Sequence, residues 1–432
     1  MLSASVIVAF TEHGGVFCRR HGDGRTHPLQ LQSQKSDESS QHQSRIGKAQ
    51  LPSFTRNCKE RATTFSFGLM ETGWESGGFG DRLRGMVTTY YLAIMTNSSF
   101  SVNWAKPYNL NDYFLVPSCV THSGTKQRGQ TDGSTKTIGL VEASSSKMSQ
   151  RDKIVRVDLN SYSYFTKSLF SADIGKDVDV RTNSFHWKEL VRKETFKQRA
   201  ASLKLSNLSQ AELFKLAIDE LFGNPTSIVR ETFKSVMRRL AGGEPNDVPY
   251  VGVQIRLGGK NKSPVGGWDD SSRHSLEQVE CFAEEAVRLC RRMRVGSIFV
   301  TADSEEALRA FEDAVDRESA AACWSCPRPI VVQVPGTIAH TDKSYFVARE
   351  HAKDVWLKSI MDWWVLKHAS ALVISRSGFG ETAAMASNAE AVLRLELPSA
   401  TSARSKRGET SRCEFEDIFM HDRDVISSAL FE

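Results

Sequence analysis

From Pro249 to Leu395 the chain alternates two hydrophobic periods, and that alternation leaves it few folds. Residues 250 to 255 place Val251, Val253 and Ile255 against Gly252 and Gln254, a strand period that ends at Gly258-Gly259. A helical period follows through Leu276, Val279, Ala283, Ala286 and Cys290, then a strand Ile298 to Val300. The pattern repeats with a helix from near Ser304 (Leu308, Phe311, Val315) and a strand Ile330 to Val334. A helix His351 to His368 follows, carrying Leu357, Ile360, Met361, Trp364 and Val365, then a strand Ala371 to Ile374. A small alanine-rich helix from Gly380 and a strand Val392 to Leu395 close the unit. Strands separated by helices of this length imply a parallel, doubly wound sheet.

A second α/β unit precedes it. In WESGGFGDRLRGMVTTYYLAIMTNSSFSVNW, Leu83, Met86, Val87, Tyr90, Tyr91, Ile94 and Met95 make one apolar stripe of a helix starting near Asp81, with Asp81 suited to its N-cap. Phe100, Val102 and Trp104 then alternate as a strand. Ser209-Gln-Ala-Glu212 is a capping-box pattern opening one helix, and Asn224-Pro225 opens another that Gly242-Gly243 ends. The expected organisation is a leader over 1–64, rich in polar and charged residues, and an N-terminal α/β domain over 65–181 with a polar insertion at 117–150. A helical connector over 182–246, a C-terminal Rossmann-like domain over 247–398 and a loose polar tail over 399–432 complete it.

Composition excludes several classes. With 432 residues, 40% of them hydrophobic and 25% charged, the chain has ample material for two cores. Its net charge of +5 suits an anionic small ligand but is too diffuse for nucleic acid. No stretch has the roughly 18 consecutive apolar residues of a membrane span, and Ala4 to Phe10 lacks the basic lead of a signal peptide. Cys323 and Cys326 form a CxxC without two further ligands at matching spacing, which reads as a loop disulfide or plain thiols rather than zinc. His13, His21, His27 and His42 also lack ligand spacing, and no metal is expected. Asn97-Ser-Ser and Asn207-Leu-Ser are sequons that matter only in a secretory path.

Polar residues collect where such a sheet binds ligands, outside the carboxyl ends of its strands. Arg256 follows the first strand of the C-terminal unit, Asp303 the second, and Ser375-Arg-Ser-Gly-Phe-Gly380 the fourth, this last a glycine turn opening a helix. Gly77, Gly78 and Gly80 let an anion approach the start of the N-terminal helix, where Arg82 and Arg84 otherwise oppose the helix dipole. The absence of GxGxxG and of GK[ST] argues against a dinucleotide fold and a P-loop.

GGFGDRLRG, VGVQIR, FVTADS and ISRSGFGETAAMAS together resemble, in order and over roughly Gly73 to Leu395, the motif set of the GDP-fucose-dependent fucosyltransferases of the α1,2/α1,6/protein O-fucosyltransferase superfamily. The resemblance implies a GT-B-like fold of two Rossmann-like domains and an inverting transfer of L-fucose from GDP-fucose to a glycan or glycoprotein hydroxyl, with no metal and no cofactor beyond the donor. It implies Arg256 on the β-phosphate, Asp362 on guanine, and Ser375, Ser377 and Phe379 on phosphate and base, with Gly78, Gly80, Arg82, Arg84 and Asp303 completing the donor site. The family's His-x-Arg followed by Gly-Asp is here Gln254-Ile-Arg256-Leu-Gly-Gly259, so Gln254 and Gly259 depart from it. Asp81 and the His340-Thr-Asp342 segment are the candidates for a general base. Two other readings stay open: a catalytically impaired GDP-sugar- or glycan-binding module, and another nucleotide-binding α/β enzyme. The resemblance suggests the Golgi or ER lumen, although no targeting segment is read.

Overall fold

The computed structural model describes residues 64–68, 77–104, 108–116, 154–158, 177–243, 248–261, 268–322, 328–338, 349–396 and 413–418. The leader before residue 64, the 117–150 insertion, the Cys323/Cys326 pair and the His340–Asp342 segment lie outside the described residues.

Two parallel sheets organise the chain. The first has the order β2-β1-β4-β3, from β1 (Thr64–Gly68), β2 (Ser99–Asn103), β3 (Ile154–Asp158) and β4 (Asp177–Arg181). Between β1 and β2 runs α1 (Phe79–Met95), and after β4 come α2 (Trp187–Val191), α3 (Glu194–Ser202), α4 (Gln210–Phe222) and α5 (Ser227–Leu240). The Ser209 capping box forms at α4, with the Glu212 amide donating to Ser209 Oγ at 3.2 Å and the Ser209 amide donating to the Glu212 carboxylate at 2.7 Å. α5 ends where Gly242 and Gly243 take φ of +67° and +116°.

The second sheet has the order β12-β11-β10-β5-β8-β9. Its members are β5 (Val251–Ile255), β8 (Ser297–Ala302), β9 (Ile330–Val332), β10 (Ala371–Ser375) and β11 (Ala391–Leu395), all parallel, with β12 (Phe415–Asp417) antiparallel at one edge. The connecting helices are α6 (Val279–Met293), α7 (Glu305–Ala322), α8 (Arg349–Lys367) and α9 (Gly378–Ala386). A short hairpin of β6 (Gly259–Asn261) and β7 (Trp268–Asp270) interrupts the first crossover. The chain runs outward from β5 through β8 to β9, then returns to lay β10 on the other side of β5. The order reverses there, so the β5/β10 junction is a topological switch point, the expected place for a ligand.

The strand period of two sorts the side chains into two cores. Val251, Val253, Ile255, Ala371 and Val373 face α6 and α7, whereas Leu372, Ile374, Phe299 and Val392 face a larger cluster with α1, α4 and α8. Gly252 lies on that second face, where an added Cβ would come 2.8 Å from Leu372 and 2.9 Å from Ala369.

Four expectations need correction. α1 begins at Phe79 with Gly78 as its N-cap, and Asp81 is the third helical residue, accepting from the Gly78 amide at 2.9 Å. Nor is its apolar surface a single stripe: every residue but Asp81 is buried, because the helix lies between the first sheet, α4 and α9. Its polar side chains find partners inside, Thr88 donating to the Ser184 carbonyl at 2.7 Å and Tyr91 to that of Leu213 at 2.7 Å. Leu276 lies outside α6 and is 37% exposed, the helix starting only at Val279. The C-terminal tail is not loose throughout, since β12 joins the sheet, Ile418 is buried, and a Cys281–Cys413 disulfide ties the strand to α6.

Candidate active site at the sheet switch point

β5 ends at Ile255, and Arg256 stands next to the end of β10, its backbone amide donating to Ser375 Oγ at 2.8 Å. The backbone then turns through Gly258 and Gly259 at φ of +68° and +73°, a left-handed pair that side chains other than glycine's resist. That turn starts the β6–β7 hairpin, whose last residue, Asp270, forms an ion pair with the Arg256 guanidinium. The hairpin thus explains Gly259, and it gives Arg256 a carboxylate partner from 14 residues away in sequence. Asp303, one residue beyond β8, accepts from the amides of Leu257 at 3.0 Å and Gly258 at 2.9 Å. Burial pushes its carboxyl above the usual range, opposed by those two amides and by Arg256. Asp303 shapes the Arg256 loop from below.

The second half of the site is the Ser375–Gly380 turn. Ser377 is the N-cap of α9, accepting from the Gly380 amide at 3.3 Å and donating to Gln254 Oε1 at 3.0 Å. Gln254 therefore holds the turn from β5. Arg273 reaches the Arg376 carbonyl at 3.5 Å from the far side.

The third part is α1. A Cβ on Gly80 would overlap the Gly378 carbonyl, and one on Gly378 would overlap the Arg84 guanidinium, so the starts of α1 and α9 touch through two glycines. Arg84 lies against that contact, paired with Asp81 at 2.6 Å. Phe79 wedges between Trp363 (5.6 Å), Phe379 (6.1 Å) and Trp104 (5.7 Å), ring centroid to centroid, and Phe379 stays partly exposed. The starts of α1 and α9 thus meet beside the ends of β5 and β10, with the Arg84 guanidinium against Gly378 and the Arg256 amide on Ser375.

Two residues expected at the donor site, Arg82 and Asp362, are buried with partners inside the protein. Arg82 is 3% exposed, its Nε donating to the Gly77 carbonyl at 3.1 Å and its guanidinium stacking on Trp104 at 5.6 Å, so it braces the glycine loop from behind. Asp362 is neither on the mouth nor on a solvated helix face but 5% exposed, accepting from Thr301 at 2.9 Å and from Lys358 at 3.1 Å. Burial raises its carboxyl, with Lys358 opposing. Lys358 also donates to the Val334 carbonyl at 2.9 Å, so the pair ties α8 to β8 and the end of β9.

No protein-family model matches the chain, and no curated protein matches it. Among solved structures the chain is similar to Arabidopsis thaliana FUT1, a variant in complex with GDP. The identity is 14%, over 84% of this chain and 75% of that one, with a TM-score of 0.47. It is also similar to the α-1,6-fucosyltransferase NodZ co-crystallised with GDP, at 11% identity over 83% of this chain and 98% of that one, TM-score 0.40. Another structure of the fucosyltransferase NodZ, from Bradyrhizobium, matches at 11% over 83% and 99%, TM-score 0.38.

Sequence reasoning passes over Asp270, Arg273, Phe79 and Glu381. Asp270 and Arg273 sit in the first crossover and reach the site only because the hairpin folds back. Glu381, at the end of the first turn of α9, is 3% exposed, a buried carboxylate beside the Ser375–Gly380 turn. Its one sequence signal is its place four residues after Ser377, inside the motif itself.

Proposed function

We propose that the chain is a glycosyltransferase that moves L-fucose from GDP-fucose to a glycan or glycoprotein hydroxyl, with inversion and without a metal. The observation carrying this reading is the meeting of the motif residues at one switch point: Arg256 and Ser375 at adjacent strand ends, Ser377 capping α9, and Gly80 and Arg84 of α1 seated on that cap. The nucleotide and sugar follow from the resemblance of those motifs. Arg256, Arg84 and the amides of α9 would hold the diphosphate, with Phe379 at its rim. Stabilising the departing diphosphate is then the main catalytic contribution, because Asp81 is already engaged by the Gly78 amide and Arg84. A glycan-binding module without turnover is the second reading, favoured by the Arg256–Asp270 pair, which places a carboxylate where phosphate charge would gather.

Titrating the protein with GDP, ADP, UDP and NAD while following thermal unfolding tests the nucleotide. A ligand at 100 times its dissociation constant stabilises by about 2.7 kcal/mol, and GDP alone should do so. Equal stabilisation by ADP or UDP would remove the fucosyl donor. GDP release from GDP-fucose on adding glycan acceptors separates the enzyme from the binding module.

An oxidising secretory compartment suits the chain, since a disulfide closes a 132-residue separation and both sequon asparagines, Asn97 and Asn207, are exposed. Replacing Cys413 by serine is expected to lower unfolding free energy by about 2–5 kcal/mol. Peptide mapping without reductant should recover the Cys281–Cys413 crosslink. Free thiols at both positions in secreted protein would contradict this placement.

A further inference from the structure

Beside the Ser375–Gly380 turn lies a charge cluster, centred on a buried arginine, that the donor chemistry does not use. Arg394, on β11, is 4% exposed and faces three carboxylates: Glu396 at 2.8 Å, Glu416 of β12 at 2.6 Å and Glu381 of α9 at 3.6 Å. The first two are hydrogen bonds, and the third is an ion-pair separation too long for one. Glu381 Oε1 has no hydrogen-bond partner among the described residues. The charges acting on Glu381 come from each element around it: Arg84 and Asp81 of α1, Arg376 of the turn, and Arg394 of β11, the last at ion-pair distance. Glu381 lies one helical turn beyond Gly378, the residue on which Arg84 rests. A buried carboxylate so placed can take its counter-charge from Arg394 behind it or from Arg84 in the site.

We propose that Arg394 is a positioning residue for the anion site: by holding Glu381 on the sheet side, it leaves Arg84 to Asp81 and to the incoming diphosphate. The C-terminal strand takes part, because Glu416 of β12 orients Arg394 and the Cys281–Cys413 disulfide fixes β12 to α6. Without Arg394 the Glu381 charge stays buried and draws Arg84 from Asp81 and the ligand. Removing one partner of a buried pair does more harm than neutralising both. The damage should therefore be cured by a second change at Glu381.

The test compares the full disulfide-bonded chain with Arg394→Met and with the double variant Glu381→Gln/Arg394→Met. Hydrogen exchange is read at the amides of Gly380 and Glu381, which bond to Ser377, and GDP affinity is measured alongside. Arg394→Met is expected to speed exchange in this turn and weaken GDP each by about tenfold, and the double variant to return both to within about threefold of wild type, as coupling through one contact network requires. Should Arg394→Met fail to fold, a folded double variant with native exchange supports the proposal, and failure of both variants to fold overturns it. Unchanged exchange in Arg394→Met, or a double variant no better than the single, also overturns it. The affinity arm rests on the nucleotide reading and the exchange arm does not. A wild type that binds no GDP ends the fucosyl-donor reading, and exchange alone then decides the role of Arg394.

Discussion

Replacing Arg256 by alanine is expected to lower the rate of GDP release from GDP-fucose by about 100-fold at saturating donor, taking a charge-assisted hydrogen bond to the leaving diphosphate as about 3 kcal/mol. The effect should fall on turnover more than on binding, because the charge on the β-phosphate oxygens grows as the glycosidic bond breaks. Lysine should restore only part, since a point charge cannot reproduce two parallel bonds. The ion pair with Asp270 adds a second expectation. Both side chains are 17% exposed, so the alanine variant leaves a mostly buried carboxylate without its guanidinium and should melt somewhat lower. Asp270→Asn in the same background should recover the stability and not the turnover. Turnover equal to wild type in the alanine variant would remove Arg256 from the chemistry.

Gly80→Ala should destabilise the fold strongly. The new Cβ has nowhere to go: it would overlap the backbone carbonyl of Gly378 and lie 2.8 Å from the Phe379 amide, and backbone atoms cannot swing aside as a side chain can. To relieve the overlap α1 must move away from α9, which also loosens Phe79 from Trp363 and Arg84 from the turn. Overpacking of this kind costs about 3 kcal/mol, read as a shift of the urea midpoint. GDP binding should fall with it, because the two helix starts form one surface. Gly296→Ala is the control, since nothing lies within 4 Å of a Cβ there and stability should hardly change. Equal midpoints for the two variants would mean that the helices do not meet through Gly80.

The residues that sequence placed correctly share one property: their meaning is local. A strand period and a helix period can each be read within about ten residues, and from them follow the parallel sheet and the strand ends that carry Arg256, Asp303 and Ser375. The capping box at Ser209 is legible for the same reason, as a cap and the amides it satisfies lie within one turn. Asp362 fails this test. A carboxylate buried against Lys358 and Thr301 has the same place in an amphipathic pattern as a solvated one, and Thr301 is 61 residues away.

Sequence by itself therefore determined the α/β class, the doubly wound C-terminal sheet and the glycine turns that open α1 and α9, because backbone preference and hydrophobic period act between near neighbours. Tertiary structure alone decided that α1 is buried on all sides, that Asp270 answers Arg256, that Cys281 finds Cys413, and that Arg394 stands between the C-terminal strand and Glu381. Each of these joins residues that only the closed chain brings within a few ångströms, and the sign and burial of a charge depend on what it meets there.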